Sequence, residues 1–128
     1  GTGFIGRRLV ERLVKRGLGV RVLRRNPASA EINLEGLAIE ILQGSHGDPA
    51  TLEKALAGIE TVYHLAKAEG RRWQDYVEND IEPTRMLAEA ALAHGVKRFI
   101  YTGTIDSYAS GNAAEVITAC IATRGCRS

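Results

Sequence analysis

The sequence begins with a glycine-containing stretch that leads directly into a helical pattern from Arg7 to Arg16: Gly1-Thr2-Gly3-Phe4-Ile5-Gly6. Glycines ahead of a helix let the backbone come close to a phosphate, and the free N–H groups and positive dipole end of the helix favour the anion. The three glycines fit the spacing G-x-G-x-x-G, which indicates a dinucleotide site only where the motif also follows a strand. A flexible start to an ordinary helix explains the same six residues, so the choice depends on the rest of the chain.

Helical and extended patterns alternate behind this stretch. Apolar residues at i and i+4 predict one buried stripe on a helix from Phe4 to Arg16, which Gly17 and Gly19 end: Ile5, Leu9, Leu13, Val10 and Val14. Four short runs have strand character: Val20–Leu23, Leu37–Leu42, Thr61–Ala66 and Lys97–Thr102. Strands that alternate with helices indicate crossover units and a parallel sheet, so we predict an α/β chain of the doubly wound type.

Two further helices complete this pattern. Asp48 as N-cap and Pro49 at the first helical position open a helix that Gly58 ends, with an apolar stripe of Leu52, Ala55 and Leu56. A long helix is predicted from Asp75 to His94, with a buried side of Met86, Leu87, Ala90 and Ala91. Pro83 interrupts it and should kink it or mark its true start, because proline lacks the N–H that a helix interior needs.

Composition narrows the function classes. The 128 residues allow one domain at most, and 17 basic against 15 acidic residues leave a net charge of only +2. This balance argues against a dedicated nucleic-acid surface, and we interpret the basic cluster of the first helix as a solvated face: Arg7, Arg8, Arg12, Lys15 and Arg16.

No apolar run is long enough for a transmembrane helix, and no secretory signal pattern stands at the start. Two cysteines, Cys120 and Cys126, make neither a disulfide framework nor a zinc site, so a cytoplasmic location is the default expectation.

Four motifs in a fixed order carry a resemblance to a known family. They are Gly3-Phe4-Ile5-Gly6, Val22-Leu23-Arg24-Arg25, Val62-Tyr63-His64-Leu65-Ala66 and Val96-Lys97-Arg98-Phe99-Ile100-Tyr101-Thr102. Together they resemble the extended short-chain dehydrogenase/reductases, also called NAD-dependent epimerase/dehydratases. The resemblance runs from Gly1 to about Thr118, and it implies a partial NAD(P)-binding Rossmann domain over residues 1–118 and a divergent tail over residues 119–128.

The same resemblance implies that the chain is an N-terminal fragment. In doubly wound folds the strand before the glycine loop lies in the middle of the sheet, between the second and the fourth strands. The sequence starts at the loop, so we expect this strand and the C-terminal part of the domain to be missing. Losing a central strand is severe for a domain stable by only about 5–15 kcal/mol, so the isolated chain is expected to be marginally folded.

Cofactor contacts are implied residue by residue. The glycine loop and helix start would hold the pyrophosphate through close backbone approach and free N–H groups: Gly1, Thr2, Gly3, Phe4, Ile5 and Gly6. The position about 20 residues on, which is acidic in NAD-binding proteins, is Arg24, with Arg25 beside it. A guanidinium suits the 2′-phosphate of NADP because it makes bidentate, charge-assisted contacts, so NADP is favoured over NAD. A pair of solvent-facing arginines at a strand end is the alternative.

Further cofactor positions follow the second and third predicted strands. Ser45 stands where the family's Gly-Asp-Leu-x-Asp turn carries the aspartate that contacts adenine, which puts that contact in doubt. His46 beside it is interpreted as a surface histidine. His64-Leu65-Ala66-Lys67 resembles a His-Leu-Ala-Ala strand end that lines the cofactor, where Lys67 reaches either a phosphate or solvent. Tyr63 and Lys67 also fit Tyr-x-x-x-Lys, but that motif needs a helix and this segment is predicted to be a strand.

The catalytic expectations come from the last predicted strand. Thr102-Gly103-Thr104-Ile105-Asp106-Ser107-Tyr108 resembles Thr-Ser-Ser-x-x-x-Tyr-Gly, which makes Thr102 a cofactor neighbour and Thr104 the hydroxyl that binds the substrate. Asn79 matches a helix asparagine of the family, with a structural or a catalytic role. The family's Tyr and Lys pair would fall beyond Ser128.

The resemblance therefore predicts the cofactor-binding half of an NAD(P)-dependent oxidoreductase or nucleotide-sugar epimerase/dehydratase, inactive alone. Its partners would be a dinucleotide and a small-molecule substrate, with no nucleic acid and no membrane, and a homodimer through the helix Asp75–His94 is left open. The alternatives are a non-catalytic NADP-binding sensor or scaffold and an inert product.

Overall fold

The computed structural model describes residues 3–25, 36–67, 70 and 72–103, in which helices and parallel strands alternate. In chain order the elements are α1 (Phe4–Lys15), β1 (Val20–Arg24), β2 (Ile39–Gln43), α2 (Pro49–Leu56), β3 (Thr61–His64), α3 (Trp73–Tyr76), a π-helical segment (Val77–Ile81), α4 (Glu82–Ala93) and β4 (Arg98–Tyr101). The predicted order of elements is confirmed. None of these helices combines the length and apolarity that crossing a bilayer requires.

Helix α1 begins after Gly3, whose backbone is extended, and it ends at Lys15, two residues before Gly17. The Arg7 N–H donates to the Gly3 carbonyl at 3.0 Å, and Gly17 adopts a φ of +74° that turns the chain out of the helix. Val10 packs on Val22 of β1, and both are buried. The cationic face of α1 is exposed, as predicted.

One part of the predicted apolar stripe on α1 is wrong. Ile5 is 67% exposed and Leu9 and Leu13 are only half-buried, whereas Val10 is buried. The contact between Val10 and Val22 fixes which side of α1 meets β1, and Ile5 lies outside that contact. Helical periodicity identified an apolar face, but the position of the neighbouring strand decides how much of it is covered.

The four strands form two separate parallel pairs. β1 pairs with β2 from Val20 opposite Ile39 to Arg24 opposite Gln43, and β3 pairs with β4 from Thr61 opposite Arg98 to His64 opposite Tyr101. The pairs correspond to strands 2–3 and 4–5 of the doubly wound order 3-2-1-4-5. No described strand lies between β1 and β3, the position that the central strand takes in that order.

The larger core lies under β3 and β4. Leu52 and Leu56 of α2 pack against Leu87 and Ala91 of α4, and all four are buried. Val62, Met86, Ala90, Val96 and Phe99 pack around them. The Asp48 carboxylate accepts the Thr51 N–H at 3.1 Å, so the predicted N-cap of α2 is confirmed, as are the apolar stripes of α2 and α4.

The long helix predicted from Asp75 to His94 is interrupted next to Pro83, as predicted. α3 leads into the π-helical segment before α4 begins at Glu82, with Pro83 in its first turn. Pro83 has no N–H to donate to the carbonyl of Asn79, so the regular i→i−4 ladder fails at that point and the wider turn precedes it. The Asn79 side chain donates to the Asp75 carbonyl at 2.9 Å, which is a structural contact within this wider turn.

Candidate functional site

The predicted cofactor residues follow the carboxyl ends of the parallel strands or lie at the start of α1. Ligands of open α/β sheets bind outside this carboxyl edge. The structure describes eleven of the predicted positions: Gly3, Phe4, Ile5, Gly6, Arg24, Arg25, Ser45, Leu65, Ala66, Lys67 and Thr102. Gly1, Thr2 and the predicted substrate-binding Thr104 lie outside the described residues.

The start of α1 has the features of an anion-binding helix end. Gly3 has no side chain to cap the helix, and no acidic residue occupies the first turn. The N–H groups of Phe4, Ile5 and Gly6 belong to the first turn, which has no carbonyl partners within the helix. Gly6 is buried, whereas a Cβ on Gly3 would meet open space. Free N–H groups at the start of a helix favour an anion, which is the arrangement that a pyrophosphate site requires.

Arg24, the last residue of β1, carries a buried polar atom that has no partner among the described residues. Its Nε is inaccessible to solvent and makes no hydrogen bond to any described residue. Arg21, three residues earlier on the same strand, donates to Glu40 Oε2 at 2.7 Å and to the Ala57 carbonyl at 2.8 Å. Burying an N–H donor without an acceptor costs about 1–3 kcal/mol. An anion that approached the carboxyl end of β1 could supply the acceptor that the Arg24 Nε lacks.

The turn after β2 is tied to the end of β1. The Gly44 N–H donates to the Arg24 carbonyl at 3.0 Å, which extends the β1–β2 ladder beyond Gln43. Ser45 Oγ accepts the Gly47 N–H at 3.2 Å, and the Ser45 carbonyl accepts the Asp48 N–H at 3.1 Å. The predicted adenine-side residue Ser45 is therefore held in a hydrogen-bonded turn beside the end of the strand that carries Arg24.

His46 contradicts the prediction of a surface histidine. It is half-buried, and its ring centroid lies 5.3 Å from that of His64, which is only 3% exposed. His64 Nε2 is hydrogen-bonded to Thr84 Oγ1 at 2.8 Å, and the Tyr101 ring lies 5.6 Å away. Burial is the main cause that lowers the pKa of both imidazoles. The family's Gly-Asp-Leu-x-Asp turn has a leucine at the position of His46. That apolar residue was the signal in the sequence that could have indicated burial.

The segments after β3 and β4 lie side by side. The Thr102 N–H and hydroxyl donate to the His64 carbonyl at 3.2 and 3.3 Å, so strand-like pairing continues one residue past β4. Leu65 is half-buried, and Ala66 and Lys67 are exposed where they follow β3. Tyr63 lies on β3 rather than on a helix, which confirms that it and Lys67 do not form a helical Tyr-x-x-x-Lys pair.

A family model described as NAD(P)H-binding matches residues 1–122. The chain belongs to this NAD(P)H-binding family. Sterol demethylase protein B of Methylococcus capsulatus is 35% identical over 107 residues, which cover 80% of this chain and 32% of that protein. A 3-beta-hydroxysteroid dehydrogenase of Mycolicibacterium neoaurum is 34% identical over 116 residues, which cover 81% of this chain and 30% of that protein.

The fold comparison agrees with this assignment. A short-chain dehydrogenase/reductase superfamily protein from Agrobacterium tumefaciens, solved with bound NAD, matches with a TM-score of 0.70 and 27% identity. The match covers 90% of this NAD(P)H-binding chain and 34% of that one. The resemblance to short-chain dehydrogenase/reductases and the Rossmann-like α/β fold are confirmed. The chain spans about a third of the length of the curated relatives it matches.

Proposed function

We propose that this chain is the cofactor-binding part of an NAD(P)-dependent oxidoreductase or nucleotide-sugar epimerase/dehydratase, and that it prefers NADP(H). The observation that carries the preference is the buried Nε of Arg24, which lacks a hydrogen-bond partner among the described residues. A donor in this state at the carboxyl end of β1 suits the 2′-phosphate, the group by which NADP differs from NAD.

The binding mode follows from the placement of the other residues. The pyrophosphate would meet the N–H groups at the start of α1, with Gly3 allowing close approach of the backbone. Arg24 and the exposed Arg25 would bind the 2′-phosphate, and Ser45 would lie toward the adenine. The segments after β3 and β4 would line the remaining length of the dinucleotide: Leu65, Ala66, Lys67 and Thr102.

The chemistry that a bound nicotinamide supplies is hydride transfer. The relative named a hydroxysteroid dehydrogenase supports an alcohol or a carbonyl as the group that exchanges the hydride. In this proposal Thr104 would hydrogen-bond the substrate oxygen. Turnover would also need a proton-transferring side chain beyond those predicted in this chain, so we expect binding of the cofactor without turnover.

The test compares Arg24→Gln with Arg98→Gln. Both variants lose one positive charge, but Arg98 is the exposed first residue of β4, at the amino end of its strand. Charge-assisted hydrogen bonds contribute about 1.5–3 kcal/mol, so Arg24→Gln should weaken NADP⁺ binding by about tenfold or more, measured by calorimetry on the whole chain. Binding of NAD⁺ should change by less than about threefold, because NAD⁺ lacks the phosphate that the charge-assisted bond requires.

Arg98→Gln is the control and should leave both affinities unchanged. If Arg24→Gln weakened the binding of NADP⁺ and of NAD⁺ equally, Arg24 would not bind the 2′-phosphate. Absence of binding by either nucleotide would contradict the proposed function as a whole.

A further inference from the structure

Two of the three histidines in this chain lie ring against ring. His46 comes from the turn after β2 and His64 from the end of β3, so the contact joins the two strand pairs, which share no ladder in the described part of the chain. His64 is nearly inaccessible at 3% exposure, and its Nε2 is hydrogen-bonded to Thr84 of α4. The third histidine, His94, lies away from them and is hydrogen-bonded to Glu53 at 3.1 Å.

The groups around the pair leave little compensation for a positive charge. Asp80 of the π-helical segment attracts a proton to both rings, while Arg25 opposes protonation of His46. Thr84 from α4 and the Tyr101 ring from β4 are neutral neighbours of His64. Each imidazolium would also repel the other across 5.3 Å.

The position of the pair connects it to the cofactor residues. The turn that carries His46 also carries Ser45, and the Gly44 N–H of the same turn is bonded to the Arg24 carbonyl at 3.0 Å. On its other side the turn contacts α4, since a Cβ on Gly47 would lie 3.4 Å from Pro83. Repulsion between two charged rings, or the desolvation cost of one charge on the pair, would therefore act on the turn and on the backbone beside Arg24.

We propose that His46 and His64 position the dinucleotide-binding turn Gly44–Asp48 while both rings are neutral, and that uptake of a proton by the pair releases this turn and weakens dinucleotide binding. The inference rests on the proposed function and adds to it a pH dependence carried by two residues that contact each other rather than the substrate. His46 and His64 are positioning residues in this account.

The direction of the pH effect follows from the neutral state of the pair. Burial lowers both pKa values from the ordinary value of about 6.5, so the folded chain binds these protons less readily than the unfolded chain does. Folding stability is therefore at full strength above about pH 6.5 and is lost as the pH falls below it. In this proposal, release of the turn weakens dinucleotide binding in the same direction.

The first experiment follows the three histidine ring signals by NMR from pH 8.0 to 4.5, without nucleotide. His46 and His64 should titrate below the ordinary histidine pKa, and replacing His46 with leucine should raise the pKa of His64 because a neighbouring charge is removed. Titration of His46 and His64 at the ordinary histidine pKa, unchanged by the replacement, would overturn the inference.

The second experiment measures NADP⁺ affinity between pH 7.5 and 5.5 for the chain, for His46→Leu and for His94→Gln. One proton taken up on release weakens binding by at most about tenfold per pH unit, so we expect a loss approaching tenfold in the chain and in His94→Gln. His46→Leu should lose about threefold or less, since an uncharged leucine is not repelled by a protonated His64 and the turn stays in place. The 2′-phosphate itself titrates near pH 6, and this contribution cancels because all three proteins bind the same ligand.

His46→Gln, which is also neutral at every pH, serves the same comparison if the leucine variant does not fold. A pH dependence that is the same in the chain and in the His46 variants would overturn the inference and leave the proposed function intact. Absence of NADP⁺ binding at every pH would instead overturn the proposed function, and the inference with it.

Discussion

Arg21 joins β1 to the end of α2. Replacing Arg21 with methionine should destabilise the chain more than the same replacement of an arginine on the surface. Its Nη1 donates to the carbonyls of Ala57 at 2.8 Å, Ala55 at 3.1 Å and Lys54 at 3.3 Å. These carbonyls lie at the helix end, where no intrahelical N–H reaches them. Arg21 Nε also donates to Glu40 at 2.7 Å.

The magnitude follows from these contacts. Nη1 has two hydrogens, so we count two good bonds from a charged donor, each worth about 1 kcal/mol after allowing for the 21% exposure of the side chain. The charge at the C-terminal end of α2 adds about 0.3–1 kcal/mol. The pair with the half-exposed Glu40 adds about 0–1 kcal/mol. Methionine retains the apolar stem, so Arg21→Met should lower the free energy of unfolding by about 2–4 kcal/mol.

The assay is urea unfolding followed by far-ultraviolet circular dichroism, with trimethylamine N-oxide added to all samples so that a marginally stable chain gives a complete baseline. Arg85→Met is the matched control, because Arg85 is an exposed arginine whose partners, Glu82 and Glu89, lie on its own helix. Its unfolding midpoint should not change measurably. A double variant with Glu40→Gln should show a coupling of less than about 1 kcal/mol.

Two results would refute the reasoning about Arg21. One is an unfolding free energy for Arg21→Met within about 0.5 kcal/mol of the unmodified chain, which is the range of ordinary surface substitutions. The other is a coupling with Glu40 that accounts for the entire loss, because the contacts with the end of α2 would then contribute nothing.

Two further substitutions test the core and a helix end. Leu56→Ala removes a side chain that is 3% exposed and packs on Leu87, and it should cost about 2–4 kcal/mol in the same unfolding assay; a loss below about 1 kcal/mol would contradict the assigned core. Gly95→Ala should cost about 1 kcal/mol from strain alone, because Gly95 has a φ of +70° and open space around its missing Cβ. Gly19→Ala is its control, since Gly19 also has open space but no positive φ; equal effects of the two changes would refute the strain argument.

The π-helical segment shows where a correct local prediction stops. The sequence predicts helix from Asp75 to His94 because apolar residues recur with helical spacing, and it identifies Pro83 as the point of interruption. A missing N–H can be accommodated by a kink, a new start or a wider turn, and these differ in how the two helical parts pack against their surroundings. The wider turn is found from Val77 to Ile81, with Asn79 bonded to the Asp75 carbonyl inside it.

The sequence by itself determined the order of helices and strands, the parallel sheet type and the family. Each of these depends on neighbours in the chain: the period of apolar residues, the proline and aspartate that open α2, and the glycines at the start and end of α1. The two parallel pairs, with no described strand between β1 and β3, also follow from the doubly wound order once the family is recognised.

Only the tertiary structure decided which polar side chains meet. Arg21 and Arg24 lie on one short strand and look alike in the sequence, yet the first is bonded to the end of α2 and the second keeps a buried Nε without a partner among the described residues. His46 and His64 are 18 residues apart, and the sequence indicated a surface position for the first. Such contacts join separate elements, and local periodicity contains no information about them because they depend on how the strand pairs and helices pack in space.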